Sequence, residues 1–230
     1  MSGWRGRIGF IYPGDGVLDS EYASYMPAGV TCHITRVSLD PGDYTLEHAE
    51  RLARSSELEQ AARTFLLIQP SAVALACSSG SFVGGAGADL EIGGRIGLAA
   101  GCPGTTASTG MVEAFRSLGI RRPGLFSPYE PAITRRLCEF LCANGFPAPE
   151  VVGATPHGPI GSLQPSEVYR VVMAFKDLPV DGVFLACTAL DTRELRPALA
   201  SDLNRPVLSA SQVAAWHALT LARIDPIPLF

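Results

Sequence analysis

The chain has 230 residues, 47% of them hydrophobic and 17% charged, enough apolar material for one large core or two small ones without a metal or disulfide staple. A net charge of −4 with no block of Lys or Arg argues against nucleic acid as a partner. The N-terminal Met1-Ser-Gly-Trp-Arg-Gly-Arg-Ile lacks an apolar leader core and no apolar run could span a bilayer, so a cytoplasmic protein with no membrane partner and six reduced cysteines is expected.

Short, continuous apolar runs recur at Ile8 to Tyr12, Ala72 to Ala76, Ile96 to Ala99, Pro123 to Phe126, Gly182 to Ala186 and Val207 to Ser209, the pattern of strands buried on both faces. Amphipathic stretches lie between them at Leu46 to Leu67, Ser108 to Leu118, Glu130 to Asn144, Pro165 to Lys176 and Ser211 to Ala222. This alternation predicts an α/β fold with parallel sheets. Ser108 and Ser211 are candidate N-caps, Pro165 and Ser166 mark a helix start, and Gly119 and Gly145 are placed for left-handed C-terminal caps.

The chain also repeats itself. Val73-Ala-Leu-Ala-Cys77-Ser78-Ser79 matches Val183-Phe-Leu-Ala-Cys187-Thr188-Ala189, and Pro103-Gly-Thr-Thr-Ala107-Ser108 matches Pro206-Val-Leu-Ser-Ala210-Ser211. A looser third pair is Ile8-Gly-Phe-Ile-Tyr-Pro13 with Pro123-Gly-Leu-Phe-Ser-Pro128. Three matches in the same order predict two similar Rossmann-like halves related by a pseudo-twofold axis, residues 1–118 carrying Cys77 and 119–230 carrying Cys187. The C-terminal helix, 211–222, is free to pack back on the first half, and the junction near Leu118 to Pro123 reads as a tight hinge. Ligands of open parallel sheets bind outside the carboxyl ends of the strands, so the active site is expected between the halves, where both cysteines sit.

A thiol at a strand-to-helix turn lies near backbone N–H groups and a helix dipole, both of which favour the thiolate. Two such thiols facing each other can move a proton from one side of a carbon acid to the other, as a racemase does. Alternatively, one can add to an electron-poor double bond and allow cis–trans isomerisation. Either route builds charge on a carboxylate, for which Ser78, Ser79 and Thr188 offer hydroxyls and amides.

Ala76-Cys77-Ser78-Ser79-Gly80-Ser81-Phe82, Ser127-Pro128-Tyr129 and Ala186-Cys187-Thr188-Ala189-Leu190 resemble the three active-site segments of the maleate isomerase and arylmalonate decarboxylase branch of the aspartate/glutamate racemase superfamily. The similarity extends over nearly the whole chain. It implies a cofactor-independent, metal-free enzyme acting on a small carboxylate, with Cys77 and Cys187 catalytic. It also implies that Pro13 and Gly14 of the first loop bind substrate with Ser78, Ser79, Tyr129 and Thr188. In that branch the cysteine matched by Cys187 is the proton donor of the decarboxylases, and the tyrosine matched by Tyr129 helps hold a carboxylate. The first cysteine is the nucleophile of the isomerases and a glycine in the characteristic decarboxylases, so Cys77 sides with the isomerases. Where maleate isomerases show a Ser-Ser-Asn run, this chain has Gly14-Asp15-Gly16; an amide is lost and Asp15 would repel a dianion.

These residues lead to an isomerase or racemase of a small carboxylic acid. The alternatives are an arylmalonate-type decarboxylase using Cys187, or a non-catalytic carboxylate-binding protein. A homo-oligomer is compatible with the sequence. Cys138 and Cys142, four apart on one helix face, read as core packing rather than a metal site; Cys32 and Cys102 carry no assigned role. No histidine has metal-ligand spacing, and His157 is a candidate to reach the pocket from its loop. The glycines from Gly84 to Gly94 read as a lid rather than a phosphate cradle.

Overall fold

The structure, a computed structural model, describes residues 2–38, 45–147, 149–154 and 158–230. Strands β1 (Gly6–Pro13), β2 (Val30–Val37), β3 (Ala72–Leu75) and β4 (Gly104–Thr106) form one sheet in the order β2-β1-β3-β4. β5 (Pro123–Ser127), β6 (Glu150–Gly153), β7 (Gly182–Leu185) and β8 (Val207–Ser209) form another in the order β6-β5-β7-β8. Every neighbouring pair is parallel.

The internal repeat is written into the hydrogen bonds. Ala76 N–H donates to the Ile11 carbonyl at 2.8 Å and Ala186 N–H to that of Phe126 at 3.0 Å, each just before its cysteine. Val73 and Val183 likewise donate to the carbonyls of Pro103 and Pro206. β3 and β7 are therefore central strands in matching registers, and their continuous apolar runs are buried along their whole length.

Each sheet is closed by a helix that comes from the other half. Helix α10 (Ala210–Leu221) follows β8, yet Ala214, Ala215, Ala218 and Leu219 pack with Ile8, Phe10, Ala72 and Ala74 of the first sheet. Helix α6 (Ala107–Leu118) follows β4, and its Phe115 packs edge-on against Phe184 of β7, ring centroids 5.8 Å apart. Small residues let α10 lie close on its sheet, whereas α6 reaches its own through a large ring. The two helices touch where a Cβ at Gly110 would lie 2.5 Å from the Val213 carbonyl oxygen.

Several local expectations need correction. Ile96 to Ala99 is not a strand but the end of helix α5 (Ala88–Ala100). Glycine lets that helix press on the neighbouring strand: a Cβ at Gly97 would come within 2.7 Å of Gly104 N. Gly93 is also packed in this contact, so much of the expected lid is helix. Leu46 to Leu67 divides into α2 (Leu46–Arg54) and α3 (Glu57–Arg63), separated by the extended Ser55. The side chains that cap α6 and α10 belong to Thr106 and Ser209, two residues upstream of Ser108 and Ser211. Gly119 and Gly145 do take the left-handed conformation expected of them, φ 68° and 93°, and each closes its helix, α6 and α7 (Pro131–Ala143), by donating its N–H to a carbonyl of the last turn. Cys142 is exposed rather than core. Among the described residues no helix is long and apolar enough to cross a membrane.

Candidate active site

The C-terminal ends of the central strands open into one cleft lined by Cys77, Ser78 and Ser79 from the first half and Tyr129, Cys187 and Thr188 from the second. Pro13 also lines it; Gly14 is exposed and does not. His157 lies outside the described residues. About 590 Å³ of space lies between the walls of the cleft, the open mouth included.

The two cysteine turns differ despite their shared sequence. Cys77 leads into the short helix α4 (Ser79–Phe82), where the fully buried Ser81 hydroxyl donates to the carbonyls of Cys77 and Ser78 and is hydrogen-bonded to the Ser108 hydroxyl. A Cβ at Gly80 would stand 3.2 Å from the Cys77 sulfur, so glycine leaves room for the thiol. Cys187 is followed by an irregular loop up to α9 (Leu195–Leu203) and adopts a left-handed φ of 79°, a strained state for a side-chain-bearing residue. Ala189 N–H donates to its sulfur at 3.4 Å.

The expectation of easily formed thiolates fails on balance. Burial pushes the Cys77 thiol up to about 11 and the Cys187 thiol up to about 12. N–H groups of Gly80 and Ala189 pull the other way, as the sequence suggests, but desolvation outweighs them and the Asp15 charge adds to the rise. Cys187 has no helix beginning beside it, so one expected source of thiolate stabilisation is missing there.

The hydroxyls are not equivalent either. Thr188 spends its proton on the Ala76 carbonyl (2.9 Å), which removes its side chain as a carboxylate donor. Among the described residues the Ser78 and Tyr129 hydroxyls are buried with no partner in full hydrogen-bond geometry, though Tyr129 stands near enough to Ser78 and the Cys187 thiol to influence them; both line the cleft. Burial, then the neighbouring thiols, hold the Tyr129 phenol well above its ordinary range, so it remains a donor. Ser79 keeps its hydroxyl 3.9 Å from the Cys77 sulfur.

Of the other lining groups, Asp15 and Ala189 stood in segments that the sequence singles out, and the rest carried no usable signal. Tyr12, at the end of β1, donates across the halves to the Thr188 carbonyl at 2.7 Å. Ala49, Leu52, Ile133, Ile160 and Ala189 supply an apolar wall. Asp15, Thr45 and His48 supply a polar one. Arg51 donates to His48 Nδ1 at 2.8 Å. Burial raises the Asp15 carboxyl above its ordinary value, while His48 and Arg36 oppose that rise. The Asp15 turn is braced by Arg36, which donates to the Gly16 carbonyl at 3.1 Å and pairs with Asp19 at 2.7 Å. Among the described lining residues there is no Lys or Arg. His48, Leu52 and Ile133 come from helices whose periodicity was readable, but only the fold shows which turn of each faces the cleft.

Two parallel sheets, joined through exchanged helices and each ending in a cysteine turn on a shared cleft, define a two-halved α/β protein with its site between the halves. Residues 53–228 match the arylmalonate decarboxylase family model, and the chain belongs to that family. It is 32% identical over 160 residues to arylmalonate decarboxylase of Bordetella bronchiseptica, an alignment covering 65% of this chain and 64% of that protein, under two thirds of its length. A crystal structure of a liganded arylmalonate decarboxylase double mutant, Gly to Cys and Cys to Ser, superposes with a TM-score of 0.84 at 27% identity, covering 98% of both chains. Maleate isomerase of Pseudomonas putida S16 shares the fold with a TM-score of 0.86 at 17% identity, over 95% of this chain and 93% of that one.

Proposed function

We propose that the protein is a cofactor-independent racemase or isomerase of a small monocarboxylic acid with an apolar substituent. The observation that carries this reading is the presence of two thiols, one from each half, on a single cleft. One thiolate removes the α-proton, leaving an enediolate, and the opposite thiol protonates the other face; the product is the enantiomer, and the two sulfurs have exchanged protonation states. Ser78 and Tyr129 donate to the carboxylate as its charge grows. A monoanion suits a lining that offers neutral donors and the acidic Asp15 without a cation among its described members, and the apolar wall suits a hydrocarbon group.

A second reading has its own support in the family match: decarboxylation of a disubstituted malonate, with Cys187 protonating the carbanion left by CO₂. The test is an NMR time course in D₂O with 2-arylpropionates, amino acids, maleate and a 2-aryl-2-methylmalonate. Deuterium entering the α-position of a single enantiomer as its mirror image accumulates is the expected result. CO₂ released from the malonate with no α-exchange would install the second reading instead.

A further inference from the structure

We infer that Glu21 is a positioning residue that sets where Cys187 stands relative to Cys77. Glu21 belongs to α1 (Asp19–Ser24) in the first half, yet it is 3% exposed and reaches into the second. Its Oε1 accepts from Tyr25 at 2.7 Å, from Thr192 Oγ1 at 2.7 Å and from Ser211 Oγ at 2.6 Å; its Oε2 accepts from Thr192 N–H at 3.4 Å. Thr192 is fully buried, five residues after Cys187, and Ser211 lies in the first turn of α10.

A carboxylate placed here has a stringent job. Every partner is a donor, so an apolar replacement leaves several buried donors unmatched, each costly to hide. The loop it grips has no helix or ladder of its own up to α9, and it begins at a cysteine in a left-handed conformation. Such a conformation persists only where the surroundings over-determine it. Two sutures to the first half do so: Tyr12 and Ala76 hold Thr188, and Glu21 holds Thr192. The Cys187 sulfur thus takes its place from the half that carries Cys77. Ser211 adds the start of α10 to the same carboxylate, so the helix closing the first sheet and the loop bearing the second thiol share one anchor.

The catalytic consequence rests on the two-thiol reading above, but the geometry is testable without a substrate. The experiment alkylates the folded protein with iodoacetamide and follows each cysteine-containing peptide by mass spectrometry, with Cys32, Cys102, Cys138 and Cys142 as internal references. Glu21→Leu is expected to raise the Cys187:Cys77 rate ratio about fivefold or more, because the loop loses bonds that hold it closed. Glu21→Gln, which keeps the oxygen that takes three hydroxyls, is expected to stay within about twofold of the parent. Thr192→Val, which removes one bond at little change in volume, should shift the ratio in the same direction and keeps the test decisive if Glu21→Leu does not fold. A ratio unchanged in the folded variants, or all thiols accelerating together, would overturn the assignment. If the ratio moves but no substrate shows α-exchange, the positioning role stands and only the proposed reaction falls.

Discussion

A thiol that ionises near 11 or 12 is a poor thiolate at neutral pH but, once formed, a strong base. That trade suits a carbon acid, whose α-proton resists weak bases. It also sets the pH dependence. Because both thiols are raised rather than lowered, the reactive thiolate fraction grows about tenfold per pH unit through the neutral range. We expect kcat/KM for α-proton exchange to climb between pH 7 and pH 9 without a plateau; a plateau reached by pH 7 would mean that a thiolate already exists in the resting site. The residues around the thiols explain the raised values: Leu52, Ile133 and Ala189 exclude water, and Asp15 contributes charge of the wrong sign for a thiolate.

Among the elements, the crossing of α6 and α10 is the tightest joint. A methyl at Gly110 meets a backbone carbonyl rather than the end of a flexible side chain, so relief requires one helix to move. Gly110→Ala should destabilise the protein by about 1–3 kcal/mol despite the better helix propensity of alanine, measured as a lower urea midpoint with an unchanged m-value. The central strands were legible in the sequence because burial on both faces makes them continuously apolar, and the cysteine turns because the repeat printed them twice. Two edge strands were not: β6 reads Glu150-Val-Val-Gly153 and is largely exposed, and β2 is only half-buried, so neither shows a clean pattern, whereas the edge strand β8 is buried throughout and was readable. Ile96 to Ala99 misled for a related reason: a helix packed through glycines and small apolar residues lacks an amphipathic period. The two thiols, Ser78 and Tyr129 were legible from local motifs, whereas Tyr12, His48 and Glu21 depend on contacts between segments far apart in the chain. The Thr188 hydroxyl was misjudged because its partner, Ala76, lies in the other half.

At the scale of the whole molecule, the described residues of the two halves share one core. The main core cluster runs without a break from Ile11 and Val73 of the first sheet through Met111 and Phe115 to Leu125 and Leu208 of the second. Two polar sutures, Tyr12 to Thr188 and Glu21 to Thr192, add to it. At the rim, Glu130 accepts from Leu46 N–H at 3.2 Å, joining α2 to the start of α7 (Pro131–Ala143). The halves should therefore unfold together. Far-ultraviolet circular dichroism and the fluorescence of Trp216, on the helix that crosses from the second half to the first sheet, are expected to trace a single coincident urea transition; two separated midpoints would show independent halves.

The exchange of α6 and α10 has a further meaning. Either half by itself would carry a sheet with one face uncovered and a terminal helix with nothing to cover, and two copies could satisfy each other only by trading those helices. In topological terms the chain is a domain-swapped dimer written as one polypeptide, with the short segment 119–122 as the seam. The joined frame is not filled symmetrically: one cysteine turn runs into a short helix and the other into an irregular loop, so it holds two thiols of unequal character.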